Sequence, residues 1–196
     1  APGAIVGTAS LRRQAQVRLL RDDLRVVPLR GNVQTRLRKL EAGEVDATLL
    51  AVAGLKRLGM PEIMTAAMTT EEMLPAVAQG AIGLEARRGD EVTARWLDAL
   101  NDPVSAERVA AERVCLAELD GSCRTPIAAF AEVVDGGDSF NLRAMIALPD
   151  GSKAHWARQE APRAEGLALG RALGQSLRQA AGPAFFAQLA AASGDH

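Results

Sequence analysis

The sequence predicts an α/β protein in two unlike parts. The first is a mostly parallel sheet layered with helices, and the second is a small α+β C-terminal domain with a three-stranded antiparallel sheet. Three observations predict this. Residues 1–59 alternate short apolar runs with capped helical stretches, the rhythm of strand–helix–strand units. Asn101-Asp102-Pro103 is a strong break between unlike patterns. Beyond it, three strand-like runs are joined by tight turns and followed by an Ala- and Leu-rich helix.

The elements follow in order. Ala4 to Gly7 is an apolar run ended by Gly, a strand, and Ser10 is a good N-cap for the helix after it. In that helix Leu11, Ala15 and Leu19 share a face, which predicts the buried side. Arg25 to Pro28 reads as the next strand. Arg30-Gly31-Asn32 is a turn, with Asn32 capping VQTRLRKLEA and Gly43 stopping it. Asp46 to Val52 is nearly all apolar, as expected of a buried parallel strand. Ala53 to Leu58 is a short helix ended by Gly59, and residues 60–80 are irregular. AIGLEAR, 81–87, reads as a strand, and Asp90 caps EVTARWLDAL.

After the break, Val104 to Leu119 is an amphipathic helix with apolar Val109, Val114 and Leu116. A polar loop, Asp120 to Pro126, holds Cys123. Strands follow at Ile127–Val134, Phe140–Leu148 and around Ala154–Arg158, the first two joined by a DGGD hairpin turn. Ala164 to Ala181 is a closing helix on one face of this sheet, and Gly182-Pro183 starts a last short one.

Composition narrows the function. The 196 residues are 48% hydrophobic and 24% charged, and no stretch is apolar and long enough to span a membrane as a helix. The chain opens APGAIVG without Met and without a basic-then-apolar secretory signal, so an upstream segment is expected to have been removed. Two cysteines fit a reducing compartment, and two histidines argue against a His-built metal site. The net charge of −1 hides an imbalance. Residues 1–40 carry nine basic side chains against Asp22 and Asp23, a net of +7, while the rest carries −8. Such a segment is either the solvated face of two helices or the seat of an anionic partner.

Two motifs offer seats for an anion, though their arginines also read as ordinary surface charges. Gly7-Thr8-Ala9-Ser10-Leu11-Arg12-Arg13 lies where a strand ends and a helix begins, so backbone N–H groups, hydroxyls and arginine forks converge there. Leu29-Arg30-Gly31-Asn32, with Arg36, repeats the arrangement at the next junction. Two adjacent arginine-bearing junctions suit a ligand with several carboxylates. Neither GxxxxGK[ST] nor GxGxxG is present, so nucleotide binding has no motif behind it. Nucleic acid is the rival, but all six aromatics lie after residue 95, outside the basic segment, and the Arg25–Pro28 strand interrupts a helix-turn-helix. Cys115 reads as a small buried hydrophobe. Cys123 sits in a polar loop beside Arg124, which favours its thiolate, and no nearby His makes it a protease nucleophile.

GTASLRRQAQ, LRGNVQTRLRKLEAGEVDATLLAVAGLKRLG, LPAVAQGAIGLE and AERVCLAELDGSCRTPIA together resemble the porphobilinogen deaminase (hydroxymethylbilane synthase) family, in its order and spacing, over almost the whole chain. The resemblance implies an enzyme of tetrapyrrole and haem biosynthesis. It joins four porphobilinogen molecules head to tail, releasing ammonia, on a dipyrromethane cofactor held by a cysteine thioether. That cysteine corresponds to Cys123. The family's carboxylate-binding arginines correspond to Arg12, Arg13, Arg30 and Arg36. Thr8 and Ser10 match its helix-start contacts, and Gln79 a residue near its substrate pocket.

Some positions depart from the family pattern: GSCRTP stands for a frequent GGCxVP, Ala9 for a frequent Ser and Ala78 for a frequent Gly. The HSMKD-like segment with the family's catalytic Asp has no counterpart in these residues, so no catalytic residue is expected here, and turnover by this chain alone is not expected. The resemblance implies that residues 1–80 are a periplasmic-binding-protein-like, carboxylate-binding lobe. Residues 81–102 are then a segment returning to a largely missing first domain, and 103–196 the cofactor-attachment domain. It implies a cytoplasmic location, a monomeric parent, and neither nucleic acid nor membrane as partner. The other reading of the residues is a non-catalytic two-lobed module for anionic ligands.

Overall fold

The computed structural model describes residues 1–121 and 125–193. Cys123 lies outside them. Two sheets organise the chain, one parallel in the order β2-β1-β3 and one antiparallel in the order β4-β5-β6.

In the first, β1 (Ile5–Gly7) pairs in parallel with β2 (Arg25–Val27), Val6 opposite Val26, and with β3 (Ala47–Thr48). Helices α1 (Leu11–Leu20), α2 (Val33–Glu41) and α3 (Val52–Arg57) follow the three strands in turn. The starts of α1 and α2 are fixed locally. The Ser10 side chain accepts from Arg13 N and the Asn32 side chain from Thr35 N, satisfying N–H groups that have no partner inside the helix.

Three sequence expectations change here. The run 46–52 forms only a two-residue strand, and Ala47 is exposed rather than buried. β3 is the sheet edge, so no further strand pairs with its outer side among the described residues. AIGLEAR is not a strand. Ile82 is 87% exposed and Leu84 is also exposed, because no described strand runs beside them to share hydrogen bonds. The buried side of α1 is not Leu11-Ala15-Leu19: Leu19 is exposed, while Arg12 and Gln16 are buried beside Ala15. These polar side chains find backbone partners in residues 74–79.

Residues 60–90 carry no long element beyond one helical turn at Pro61–Ile63. Asp90 caps α4 (Glu91–Asp98), whose Val92 and Trp96 stand exposed, as does Leu100 just beyond it. Asp102 caps α5 (Pro103–Glu118) with Pro103 in its first turn, where the missing N–H costs nothing.

The second sheet is a meander of β4 (Ile127–Val134), β5 (Ser139–Ala147) and β6 (Ala154–Pro162), longer at its end than the sequence suggests. Side chains alternate across it. Ile127, Ala129, Ala131, Phe140, Leu142, Ala144 and Ile146 face α5 and α6 (Gly166–Ser193), joining Cys115, Leu119, Leu169, Leu173, Leu177 and Phe185 in the main core. The buried side of α5 is therefore Ala111, Cys115 and Leu119, with Val109, Val114 and Leu116 only half-buried. Gly170 and Gly174 let the two helices touch: a Cβ on Gly170 would meet the carbonyl of Ala111, and one on Gly174 would lie 2.8 Å from that of Cys115. The expected break at Gly182-Pro183 is present, with Gly182 at φ 72°.

The sheet's other face is also covered. Ala128, Met145 and Ala147 pack with Ala15 of α1 and Leu74. Every residue of β5 from Phe140 on is buried, which accounts for its apolar run from Ala144 to Ala147. The arginine-bearing half and the antiparallel sheet thus share a core. No described helix is long and apolar enough to cross a membrane.

Candidate functional site

Thr8, Leu29 and Leu49 each lie just past the end of a strand of the parallel sheet; of the predicted site residues, Thr8, Ser10, Arg12 and Arg13 stand at the first of these ends and Arg30 and Arg36 at the second. Ligands of open α/β sheets bind at this end. Thr8 is buried, and its hydroxyl oxygen accepts from Ser10 N at 3.2 Å. The Ser10 hydroxyl oxygen in turn caps Arg13 N, so both oxygens act as acceptors and keep their own O–H to donate. Neither α1 nor α2 has an acidic side chain in its first turn, so both positive helix ends stay uncompensated.

Arg12 is buried. Its Nη1 donates to Leu74 O at 2.6 Å and its Nη2 to Gln79 Oε1 at 3.2 Å. Gln79 Oε1 also accepts from Ala76 N at 3.2 Å. Arg13 is half-buried and donates from Nη1 to Leu49 O at 2.8 Å, tying α1 to the end of β3. Arg36 folds back, with Nε on Gly31 O at 2.9 Å. Gly31 makes that turn possible at φ 121°, where a Cβ would sit 2.8 Å from the Thr35 methyl. Arg30 stays exposed in the same loop.

The electrostatics are unusual. Among the described residues no carboxylate forms an ion pair with Arg12, Arg13, Arg30 or Arg36. Burial and the charge of Arg13 push Arg12 down to about 10. Burial and the charge of Arg36 lower Arg13 as well. Cations that disfavour one another and have lost water gain from any anion brought near, and planar guanidinium forks match carboxylates.

Four residues of the neighbourhood escape sequence reasoning. Gln16 clamps Leu74, accepting its N–H at 2.8 Å and donating to its carbonyl at 3.1 Å. Glu112 accepts from Ala78 N at 2.7 Å and Ala131 N at 2.9 Å. Arg143 on β5 pairs with Glu132 at 2.7 Å and Glu71 at 2.5 Å. Arg108 donates to Ala131 O and lies over the Phe130 ring. Their partners are mostly distant backbone groups, and no local spacing announces those.

The build defines a class: an α/β protein with a parallel sheet, a separate antiparallel sheet, and uncompensated arginines clustered at the parallel strand ends. Residues 1–95 match the family model "Porphobilinogen deaminase, dipyromethane cofactor binding domain", and residues 106–179 match "Porphobilinogen deaminase, C-terminal domain". The chain belongs to the porphobilinogen deaminase family. It is 50% identical over 190 residues to the porphobilinogen deaminase of Nitrobacter hamburgensis, covering 97% of this chain and 60% of that protein. It is 53% identical over 184 residues to that of Paracoccus denitrificans, covering 94% and 58%. The protein of Oryza sativa subsp. japonica named "Porphobilinogen deaminase, chloroplastic" is 49% identical over 190 residues, covering 95% and 52%. The chain spans at most about 60% of the length of these relatives.

Proposed function

We propose that this chain is the polycarboxylate-holding and cofactor-bearing part of a porphobilinogen deaminase. The whole enzyme condenses four porphobilinogen molecules into hydroxymethylbilane with release of ammonia. One observation carries the reading: Arg12, Arg13 and Arg36 are brought together, partly stripped of water and unpaired by carboxylates among the described residues. Each pyrrole carries an acetate and a propionate, so the growing chain is a polyanion of the kind such a cluster holds.

In this reading Arg12, Arg13, Arg30 and Arg36 bind those carboxylates, and Thr8 and Ser10 donate hydroxyl protons to them. Gln79 borders the site and orients Arg12. The dipyrromethane, when bound through a thioether to Cys123, supplies the carbon on which the first new pyrrole is joined. A permanent anchor needs no His beside it. Residues 1–80 act as a periplasmic-binding-protein-like lobe, 81–102 as a segment serving another domain, and 103–196 as the attachment domain. The protein works in the cytoplasm as a monomer, without nucleic acid or membrane.

Calorimetry with porphobilinogen tests the site. Binding by the 196-residue chain that weakens at least about tenfold in Arg13→Gln is expected, the loss of one charge-assisted pair. No binding by the unsubstituted chain would overturn the reading. Ammonia release from porphobilinogen by this chain alone is expected to be nil, since the residue pattern of the family's catalytic Asp is not among its residues.

A further inference from the structure

Glu112 sits in the middle of α5, buried, and touches none of the clustered arginines. Both of its oxygens are engaged. Oε1 accepts from Ala131 N on β4, the edge strand of its sheet, and Oε2 accepts from Ala78 N. With both oxygens accepting backbone N–H groups from two separate segments, the side chain has the geometry of a clamp.

What it clamps is uncommon. Ala78 stands at φ 59°, a left-handed conformation that a residue with a Cβ disfavours. The next residue, Gln79, holds Arg12 Nη2, and Arg12 Nη1 rests on Leu74 O. Residues 74–79 therefore form a strap pinned at two points, by Gln16 at Leu74 and by Glu112 at Ala78. Both guanidinium ends of Arg12 lean on that strap. Without Glu112, an alanine in a left-handed conformation has no charged acceptor to keep it there.

We propose that Glu112 is a positioning residue for Arg12, fixing the guanidinium through Ala78 and Gln79 without touching it. The inference rests on the reading of Arg12 as a carboxylate-binding group. It explains why a carboxylate is buried at a point where no cation forms an ion pair with it among the described residues.

Two measurements on the 196-residue chain test it. Glu112→Gln keeps the volume but offers one acceptor oxygen where two N–H groups wait. Its Arg12 guanidinium protons, followed by nitrogen-resolved NMR, are expected to exchange with water about tenfold faster or more, with those of Arg13 unchanged. Porphobilinogen affinity is expected to fall about tenfold in Glu112→Gln, but not further when Arg12→Ala is already present, as coupled residues behave in a double-mutant cycle. A merely structural glutamate would weaken binding equally in both backgrounds.

Unchanged Arg12 exchange, or full additivity with Arg12→Ala, would overturn the proposal. Should the unsubstituted chain not bind porphobilinogen, the function proposed above fails, while the exchange measurement still decides the role of Glu112. If Glu112→Gln does not fold, the comparison moves to the Ala78→Gly background, where the left-handed conformation is free of a Cβ penalty. There the double variant is expected to fold and to show a smaller rise in Arg12 exchange; an undiminished rise would count against the strap.

Discussion

Arg143 in the centre of β5 holds the Glu132 carboxylate of the neighbouring strand β4 at 2.7 Å, and with its other arm reaches Glu71 at 2.5 Å and Thr70. The guanidinium is almost fully buried, Glu132 partly, and Glu71 is 75% exposed. The pair staples the irregular residues 69–74 onto the antiparallel sheet.

The two carboxylates should therefore respond differently. Arg143→Met leaves Glu132 without its cation and is expected to cost about 2–3 kcal/mol, toward the low end for a broken buried pair. That corresponds to a drop of roughly 5–10 °C in Tm for a chain of this size. Glu71→Gln should cost less than about 0.5 kcal/mol, because water screens an exposed partner. Thermal melts followed by circular dichroism compare them; equal losses would place the staple elsewhere.

Function and stability should oppose one another at Arg36. Its charge disfavours that of Arg13, so the empty cluster repels itself. Arg36→Gln is expected to raise the stability of the unliganded chain by up to about 0.5 kcal/mol while weakening porphobilinogen about tenfold. Urea unfolding and calorimetry on the same variant read the two effects.

The pH dependence of stability has two signs. Burial raises the Glu112 carboxyl above its ordinary value, against the pull of the Ala131 and Ala78 N–H groups and of Arg108. Its contribution is full below the unfolded carboxyl pKa and shrinks as pH rises through the folded value. Asp102, held low by its hydrogen bonds to Ser105, does the reverse. Its contribution stands above the unfolded value and is lost as pH falls through the folded one. Asp102→Asn keeps a cap oxygen but removes the titration, so the acid limb of a urea-unfolding series should flatten. An unaltered limb would show that the cap carboxylate does not titrate with folding.

Cys115 should be chemically silent. It is fully buried, and burial together with Glu112 and Glu118 pushes its thiol up to about 12. Iodoacetamide at mildly alkaline pH should leave it unmodified in the folded chain and alkylate it in urea. Peptide mass spectrometry reads this directly. Under the function proposed above, mass spectrometry of the whole enzyme should find two linked pyrroles on Cys123, and none on Cys123→Ser.

The packing of α6 on α5 should admit no methyl group. Gly170→Ala sets a carbon against the Ala111 carbonyl and is expected to cost about 1–3 kcal/mol, the usual range for overpacking. A chemical-denaturation midpoint unchanged from wild type would contradict that contact.

Local chemistry is what the sequence makes legible. Ser10, Asn32 and Asp90 cap the helices expected of them, because a cap bonds an N–H only three residues away. The meander is readable for the same reason, its strands being joined by short turns. Long-range pairings are not readable this way. Gln16 meets Leu74 across 58 residues, Arg12 meets Gln79 across 67, and nothing in either spacing says so. The strand expected at 81–87 and the buried one at 46–52 fail because an apolar run specifies a partner without supplying it. In the site, the two strand–helix junctions follow from the residues themselves. Gln79 and the role of Cys123 enter only through the resemblance, and Glu112 through neither.

The exposed side chain of Trp96, 74% open to water, has a practical consequence. The chain has no tyrosine and one other indole, Trp156, also more than half exposed. Its ultraviolet emission thus comes from rings already wet in the native state. Unfolding should shift that emission little, whereas anything settling over α4 should turn it blue and shield it from iodide quenching. The tryptophans are thereby poor reporters of folding and good reporters of what covers this side of the protein.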